Sequence, residues 1–168
     1  MMRSILPLLL VLATLTVGGP VAARGDCSAM PAPELDWRRC DQSGRALARA
    51  DLSGASLRDA SFQRADLTEA DLSRIDGLRA KFISTTMPRA RLDGARLIEA
   101  DLTRANMRAA RLVGTDLRSA RFYGAELHEA DFTDARIDGA DFTQADLSGA
   151  RWIDGRRICA TPSVGQCR

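Results

Sequence analysis

The sequence predicts an all-β solenoid, and three observations carry that prediction. Every fifth residue from Ala50 to Ala150 is alanine, with Ile75, Thr85 and Thr115 the three exceptions. Two residues after each of these stands a large apolar side chain, from Leu52 to Trp152, with Gly77 the one break. The register never slips along that stretch, and a short fixed period is the mark of a solenoid. A period of five fits neither the 3.6-residue helix nor the two-residue strand. An amphipathic helix would smear these alanines and leucines around its whole circumference. The repeat therefore describes a coil in which each five-residue unit turns a corner. One small and one large side chain point inward, and the other three face water.

The motifs behind this pattern resemble a known family. Ala50-Asp51-Leu52-Ser53-Gly54, Ala100-Asp101-Leu102-Thr103-Arg104 and Ala105-Asn106-Met107-Arg108-Ala109 look like the A(D/N)LXX motif of pentapeptide repeat proteins. The resemblance covers about two thirds of the chain. It implies a right-handed, quadrilateral β-helix with four repeats, and so about 20 residues, per coil. It also implies that the small and large residues turn inward.

The sequence tests the 20-residue coil by itself. All five phenylalanines occupy the large-residue position. A 20-residue coil puts Phe62, Phe82, Phe122 and Phe142 on one side, with Leu102 filling the gap. The residue before the large one reads Asp76, Arg96, Asp116, Arg136 on one side and Lys81, Asp101, Arg121, Asp141 on the next. Coils about 4.8 Å apart would stack these opposite charges directly. A 15-residue coil would instead bring Lys81, Arg96 and Arg111 together. Within one unit, Gly77 leaves a hole and Ile75 overfills the small slot, so the two deviations are expected to compensate in volume.

The ends differ from the middle. Residues 1–23 read as a secretory signal peptide. Met1-Met2-Arg3 is a positive start, Ile5 to Val17 is an apolar run too short for a comfortable span, and Val21-Ala22-Ala23 suits cleavage after Ala23. Asp26 before Cys27 argues against a lipid-modified N-terminus, and Arg24-Gly25-Asp26 beside the cleavage site carries no weight as an adhesion tripeptide. Residues 24–44 are expected to form an N-terminal cap, 45–154 the solenoid and 155–168 a C-terminal cap. Cys27 and Cys40 precede the repeats, and Cys159 and Cys167 follow them. Four cysteines allow three pairings. Proximity favours Cys27–Cys40 and Cys159–Cys167, because five to six coils form a rod of roughly 25 Å that holds its ends apart. Each bridge closes a short loop and is expected to contribute about 2–4 kcal/mol in an oxidising compartment. Trp37 and Trp152 hold the large-residue register near either end. Leu35 to Gly44 reads as a degenerate first pair of repeats, with polar Gln42 in a large apolar slot.

Chemistry is sparse. His128, the one histidine, falls just after a large residue and is expected to face solvent without catalytic partners. Most carboxylates sit where the repeat itself supplies them, and no insertion builds a cleft for a catalytic pair. The glycines at 54, 94, 114, 124, 139 and 149 share one outward position and read as turn residues. One histidine and two distant cysteine pairs do not make a metal site. No catalytic residue, cofactor or small-molecule substrate is expected.

Two surface features remain. Residues 51–78 carry three Lys+Arg against six Asp+Glu, residues 79–121 ten against four, and residues 122–154 two against eight. The middle stretch is a basic belt in which Arg91 and Arg111 form the least compensated stacked pair. Leu78 and Ile98 share an outward position one coil apart, and Ile83 starts the adjacent side. With Arg79 and Arg96 they form a candidate protein-docking patch. The function expected is a non-catalytic, exported, periplasmic or secreted scaffold that presents a rigid surface to a protein or envelope component as a monomer. An alternative carries over from cytoplasmic members of the resembling family that imitate duplex DNA and act on gyrase. It depends on a negative surface, which the belt interrupts, and on retention in the cytoplasm. A periplasmic enzyme is the weakest reading. Nucleic-acid binding by the belt lacks aromatic stacking residues.

Overall fold

The computed structural model describes residues 25–168, so the expected leader, residues 1–23, lies outside the described residues. Parallel bridges join each residue before a large one to the residue four units on, from Asp36 with Ser56 to Asp131 with Arg151. The coil thus closes after four units and is four-sided, as the phenylalanine spacing required. Six coils follow, at 35–54, 55–74, 75–94, 95–114, 115–134 and 135–154. Side one carries Leu57, Gly77 and Leu97 in its large slot, side two Phe62 and Phe82, side three Leu67 and Met87, and side four Leu72 and Leu92.

Hydrogen-bond accounting explains the motif. Around Leu52, the Ala55 N–H donates to the Leu52 carbonyl at 3.0 Å and closes the corner. The Leu52 and Gly54 N–H groups donate forward to Asp71 and Ser73 carbonyls of the next coil, both at 2.8 Å. The Ser56 N–H donates backward to Leu35 at 2.8 Å. One N–H per unit, that of Ser53, has no backbone acceptor, and Asp51 Oδ1 accepts it at 3.0 Å. Asp66, Asp71, Asp131 and Asp146 do the same for Thr68, Ser73, Thr133 and Ser148. Aspartate before the large residue is therefore a cap on the turn donor that the ladder leaves over.

Each corner needs positive φ at its third residue, the type II requirement. Gly54 (φ 69) and its equivalents supply it without strain, as the sequence suggested. Seventeen non-glycine residues also adopt it, among them Arg64, Arg104 and Ala109. Left-handed backbone costs such residues about 1–2 kcal/mol each. The coil-to-coil ladder, not local preference, holds these corners.

The axis is filled as expected. Phe62 stacks on Phe82 with centroids 5.3 Å apart, and Phe122 on Phe142 at 4.9 Å. Leu102 is fully buried between the two pairs. Two of the three exceptions in the small slot carry hydroxyls that find partners one coil back. Buried Thr85 donates to the Phe62 carbonyl at 2.7 Å and Thr115 to that of Leu92 at 2.8 Å. At Gly77, a Cβ would lie 2.8 Å from Leu97 Cδ2 and 3.5 Å from Ile75 Cδ1. The hole is thus filled from its own unit and from the next coil.

Both disulfides form, with Cα–Cα distances of 5.3 Å for Cys27–Cys40 and 4.9 Å for Cys159–Cys167. The stacked register starts two units before the expected solenoid boundary, because Asp36 and Asp41 already pair with the next coil. Gln42 fits its large slot, although polar. It is 1% exposed, donates to the Cys27 carbonyl at 2.8 Å and accepts from Arg45. Its amide ties the N-terminal cap to the first coil. Trp37 is buried beneath that cap, with the Arg45 guanidinium 5.3 Å over its ring. At the other end the tail reverses and bridges Asp146 and Arg151 in antiparallel sense. Trp152 packs 5.8 Å from both Phe132 and Phe142.

This packing generates two stability predictions. Ile75→Ala should destabilise by about 2–5 kcal/mol in denaturant titrations, and adding Gly77→Leu should recover only part of that loss, because Leu97 must first move out of the space it fills. Equal stability of wild type and Ile75→Ala would show that Ile75 fills nothing. Ala109→Gly should raise stability by roughly 0.5–1 kcal/mol, the strain relieved outweighing the extra freedom of the unfolded chain.

Candidate interaction surfaces

The charge columns sit as the four-unit register requires. Arg96 reaches Asp76 at 3.3 Å, Arg136 reaches Asp116 at 3.8 Å, and Arg121 pairs with Asp101. Neighbouring columns add partners to the same acids: Arg58 to Asp76 at 2.6 Å and Arg118 to Asp116 at 2.8 Å. These are exposed pairs, individually worth little, but they consume the surface charge locally.

The basic belt is better compensated than its count suggests. Arg91 and Arg111 are direct neighbours in one column, yet Asp93 from the adjacent column stands beside both, 2.8 Å from Arg111 and 3.9 Å from Arg91. Asp71 lies 3.6 Å from Arg91 on the other side. Stacking read within one column gives only part of the compensation, because guanidinium groups also reach diagonally.

The candidate patch divides at a corner. Leu78 and Ile98 lie one above the other on side one, with Arg79, at φ 55, turning the chain toward Ile83 on side two. All three apolar side chains are half-buried, less exposed than Met30, Ile158 or Val164. Arg79 is committed to Asp59 at 2.7 Å and Arg96 to Asp76. What remains is a low apolar strip at Leu78 and Ile98, framed by ion-paired arginines.

The sequence did not single out a groove that runs along the same corner, lined by Gln63, Arg79, Lys81, Ile83, Glu99, Asp101, Ser119 and Arg121. Small Ser119 opens it, and Lys81 forms no ion pair among the described residues because Arg121 takes Asp101. The alternation Lys81, Asp101, Arg121, Asp141 hid this, since it leaves open which neighbouring acid Arg121 takes. His128 departs from expectation. Its side chain is 32% exposed, and its Nδ1 is buried, 3.6 Å from Asp146 Oδ2 and without a hydrogen-bond partner. Asp146 belongs to the next coil and its Oδ1 accepts the Ser148 N–H, so the carboxylate is committed to its own turn and the pair reads as packing. Among the described residues no group of three or more His, Cys, Asp or Glu side chains could hold a metal ion. No helix there is long and apolar enough to cross a membrane.

Comparison with known proteins agrees with this geometry. A family model described as pentapeptide repeats matches in eight copies, over residues 43–76, 79–112 and 110–149. HetL, described as a pentapeptide repeat protein involved in heterocyst differentiation regulation from Nostoc sp. strain PCC 7120, is 28% identical. That alignment covers 77% of this chain and 67% of HetL at a TM-score of 0.48. Full-length QnrB1, described as a plasmid-mediated fluoroquinolone resistance protein, is 22% identical over 77% of this chain and 70% of its own, at a TM-score of 0.52. Such neighbours form right-handed quadrilateral β-helices. No curated protein matches.

The capping aspartates make the rod acid-sensitive in a defined direction. Hydrogen bonds from the hydroxyl and N–H of Ser53, Thr68 and Thr143 hold the carboxyls of Asp51, Asp66 and Asp141 below the usual range. A carboxyl depressed on folding contributes stability that is complete above its unfolded value and lost as pH falls through the folded one. Melting temperature should therefore hold down to about pH 4 and drop below it. Asp51→Asn, Asp66→Asn and Asp141→Asn together keep an acceptor for the turn N–H and should flatten that acid limb. An unchanged limb in differential scanning calorimetry would remove these caps as its cause.

Proposed function

Because the chain belongs to the pentapeptide repeat family, we propose that it serves as a non-catalytic, exported scaffold that presents a rigid β-helical surface to a protein or envelope component. The observation that carries the reading is the uninterrupted winding of residues 35–154, in which each coil is joined to the next by the ladder and no insertion builds an enclosed site. Export is supported by the pattern of residues 1–23 and by a disulfide at each end, the chemistry of an oxidising compartment. The docking strip is Leu78 and Ile98, with Arg79, Arg96 and Ile83 around it. Imitation of a nucleic acid is not favoured, since residues 79–121 are net basic and the likeness to QnrB1 is one of fold.

Cell fractionation tests the first half of this reading. A mature form beginning at Arg24 should appear outside the cytoplasm, and full-length protein retained in the cytoplasm would refute export. The second half is tested by capture from envelope extracts on the oxidised mature protein. Leu78→Ser with Ile98→Ser should abolish capture and leave melting unchanged. Undiminished capture by the double variant would end the assignment of the strip.

A further inference from the structure

The C-terminal tail caps only half of the last coil. The N–H groups of Leu147, Gly149 and Trp152, on sides three and four, donate to tail carbonyls of Ser163, Cys159 and Arg157 at 2.8–2.9 Å. On side one and the start of side two the forward donors have no such acceptor. The N–H groups of Ile137, Gly139 and Phe142, and the carbonyls of Ala135 and Ala140, make no hydrogen bond among the described residues. In the preceding coil, the equivalent Leu117, Ser119 and Phe122 N–H groups donate at 2.8, 3.0 and 2.7 Å. Burial follows the same boundary, because Ile137 and Ala140 are half-exposed whereas Leu117 and Ala120 are buried. This is an open sheet edge over an apolar floor.

We propose that this edge receives an extended segment of a partner protein as a seventh half-coil by β-strand addition. Backbone bonds would supply affinity, and side chains in register would supply selectivity. The columns specify the segment. Arg136 calls for an acid opposite it, and exposed Asp138 and Asp141 call for bases. Ile137 and Phe142 call for two apolar residues five apart, with a glycine or other left-handed residue at the corner between them. A second copy of this chain is disfavoured, since in-register edge-to-edge pairing would bring two sets of Asp138 and Asp141 together. The inference concerns the end of the rod and stands whether or not the Leu78 strip docks a partner.

The probe is the synthetic peptide Ala-Asp-Leu-Lys-Gly-Ala-Lys-Phe-Thr-Gly, added to the oxidised mature protein and followed by amide hydrogen exchange and fluorescence anisotropy. In the free protein the Ile137, Gly139 and Phe142 amides should exchange far faster than those of Leu117, Ser119 and Phe122, and saturating peptide should slow them. Asp138→Lys should weaken binding about tenfold by turning an attractive cross-strand pair repulsive and by losing strand order with it. Glutamate at the fourth peptide position should restore binding to that variant. Slow exchange at the three amides in the free monomer, binding that leaves them unprotected, no saturable binding, or failure of the charge swap to rescue would each overturn the proposal. So would a dimer in sedimentation whose three amides are already protected.

Discussion

The ladder of hydrogen bonds between coils is the interaction on which the rest depends. It fixes the strand spacing, which stacks Phe62 on Phe82 and Phe122 on Phe142. It also forces the corners, because a chain that must return to the same column at every fourth unit has to turn sharply after every large residue. That requirement places arginine, glutamate and serine in left-handed backbone at many corners where glycine would sit without strain. It leaves one donor per unit over, which an aspartate before the large residue accepts in the units that carry one. The motif, the strain and the placement of the capping aspartates are three consequences of one ladder.

Surface charge follows the same geometry and constrains function. Carboxylates and guanidinium groups one coil apart neutralise one another along columns, and neighbouring columns complete the pairing, as Asp93 does between Arg91 and Arg111. A face that looks basic in a count of residues is largely paired in space. Features that remain available are those where the columns fail to match: Lys81 beside an acid already taken, the strip at Leu78 and Ile98, and the uncovered edge at Ile137.

Much of this was legible in the sequence. The five-residue cadence gave the winding, and the spacing of Phe62, Phe82, Phe122 and Phe142 gave the coil length without coordinates. Pairing of the end cysteines followed from the length of the rod. Other features were hidden for physical reasons. Thr85 and Thr115 looked like simple misfits, because their acceptors at Phe62 and Leu92 lie more than a full coil back along the chain and depend on the pitch of the corner. Gln42 looked wrong for its slot because its partner is a cap carbonyl rather than a neighbour in the repeat. The spread of the docking patch over two sides was legible from the register, and so was the stacking of Arg96 on Asp76, but the hold of Asp59 on Arg79 was not, since it joins two corner residues outside the column of charges before the large residue. The half-closed end could not be read at all, since the tail leaves the cadence after Asp154 and its antiparallel return obeys no repeat.

The alternation of sign along Asp76, Arg96, Asp116 and Arg136 gives this column two different repeat lengths. Its backbone and core repeat after one turn of the square, but its charge repeats only after two. Excising a single turn between Asp76 and Asp116 would preserve every ladder bond and every stacked apolar layer, yet set acid against acid. Excising two would bring Asp76 against Arg136 and keep this column's alternation, although Asp71 would then meet Asp131 on side four. In that column, duplication or loss of sequence keeps opposite charges stacked only in blocks of two turns, so its charge pattern is quantised more coarsely than its winding.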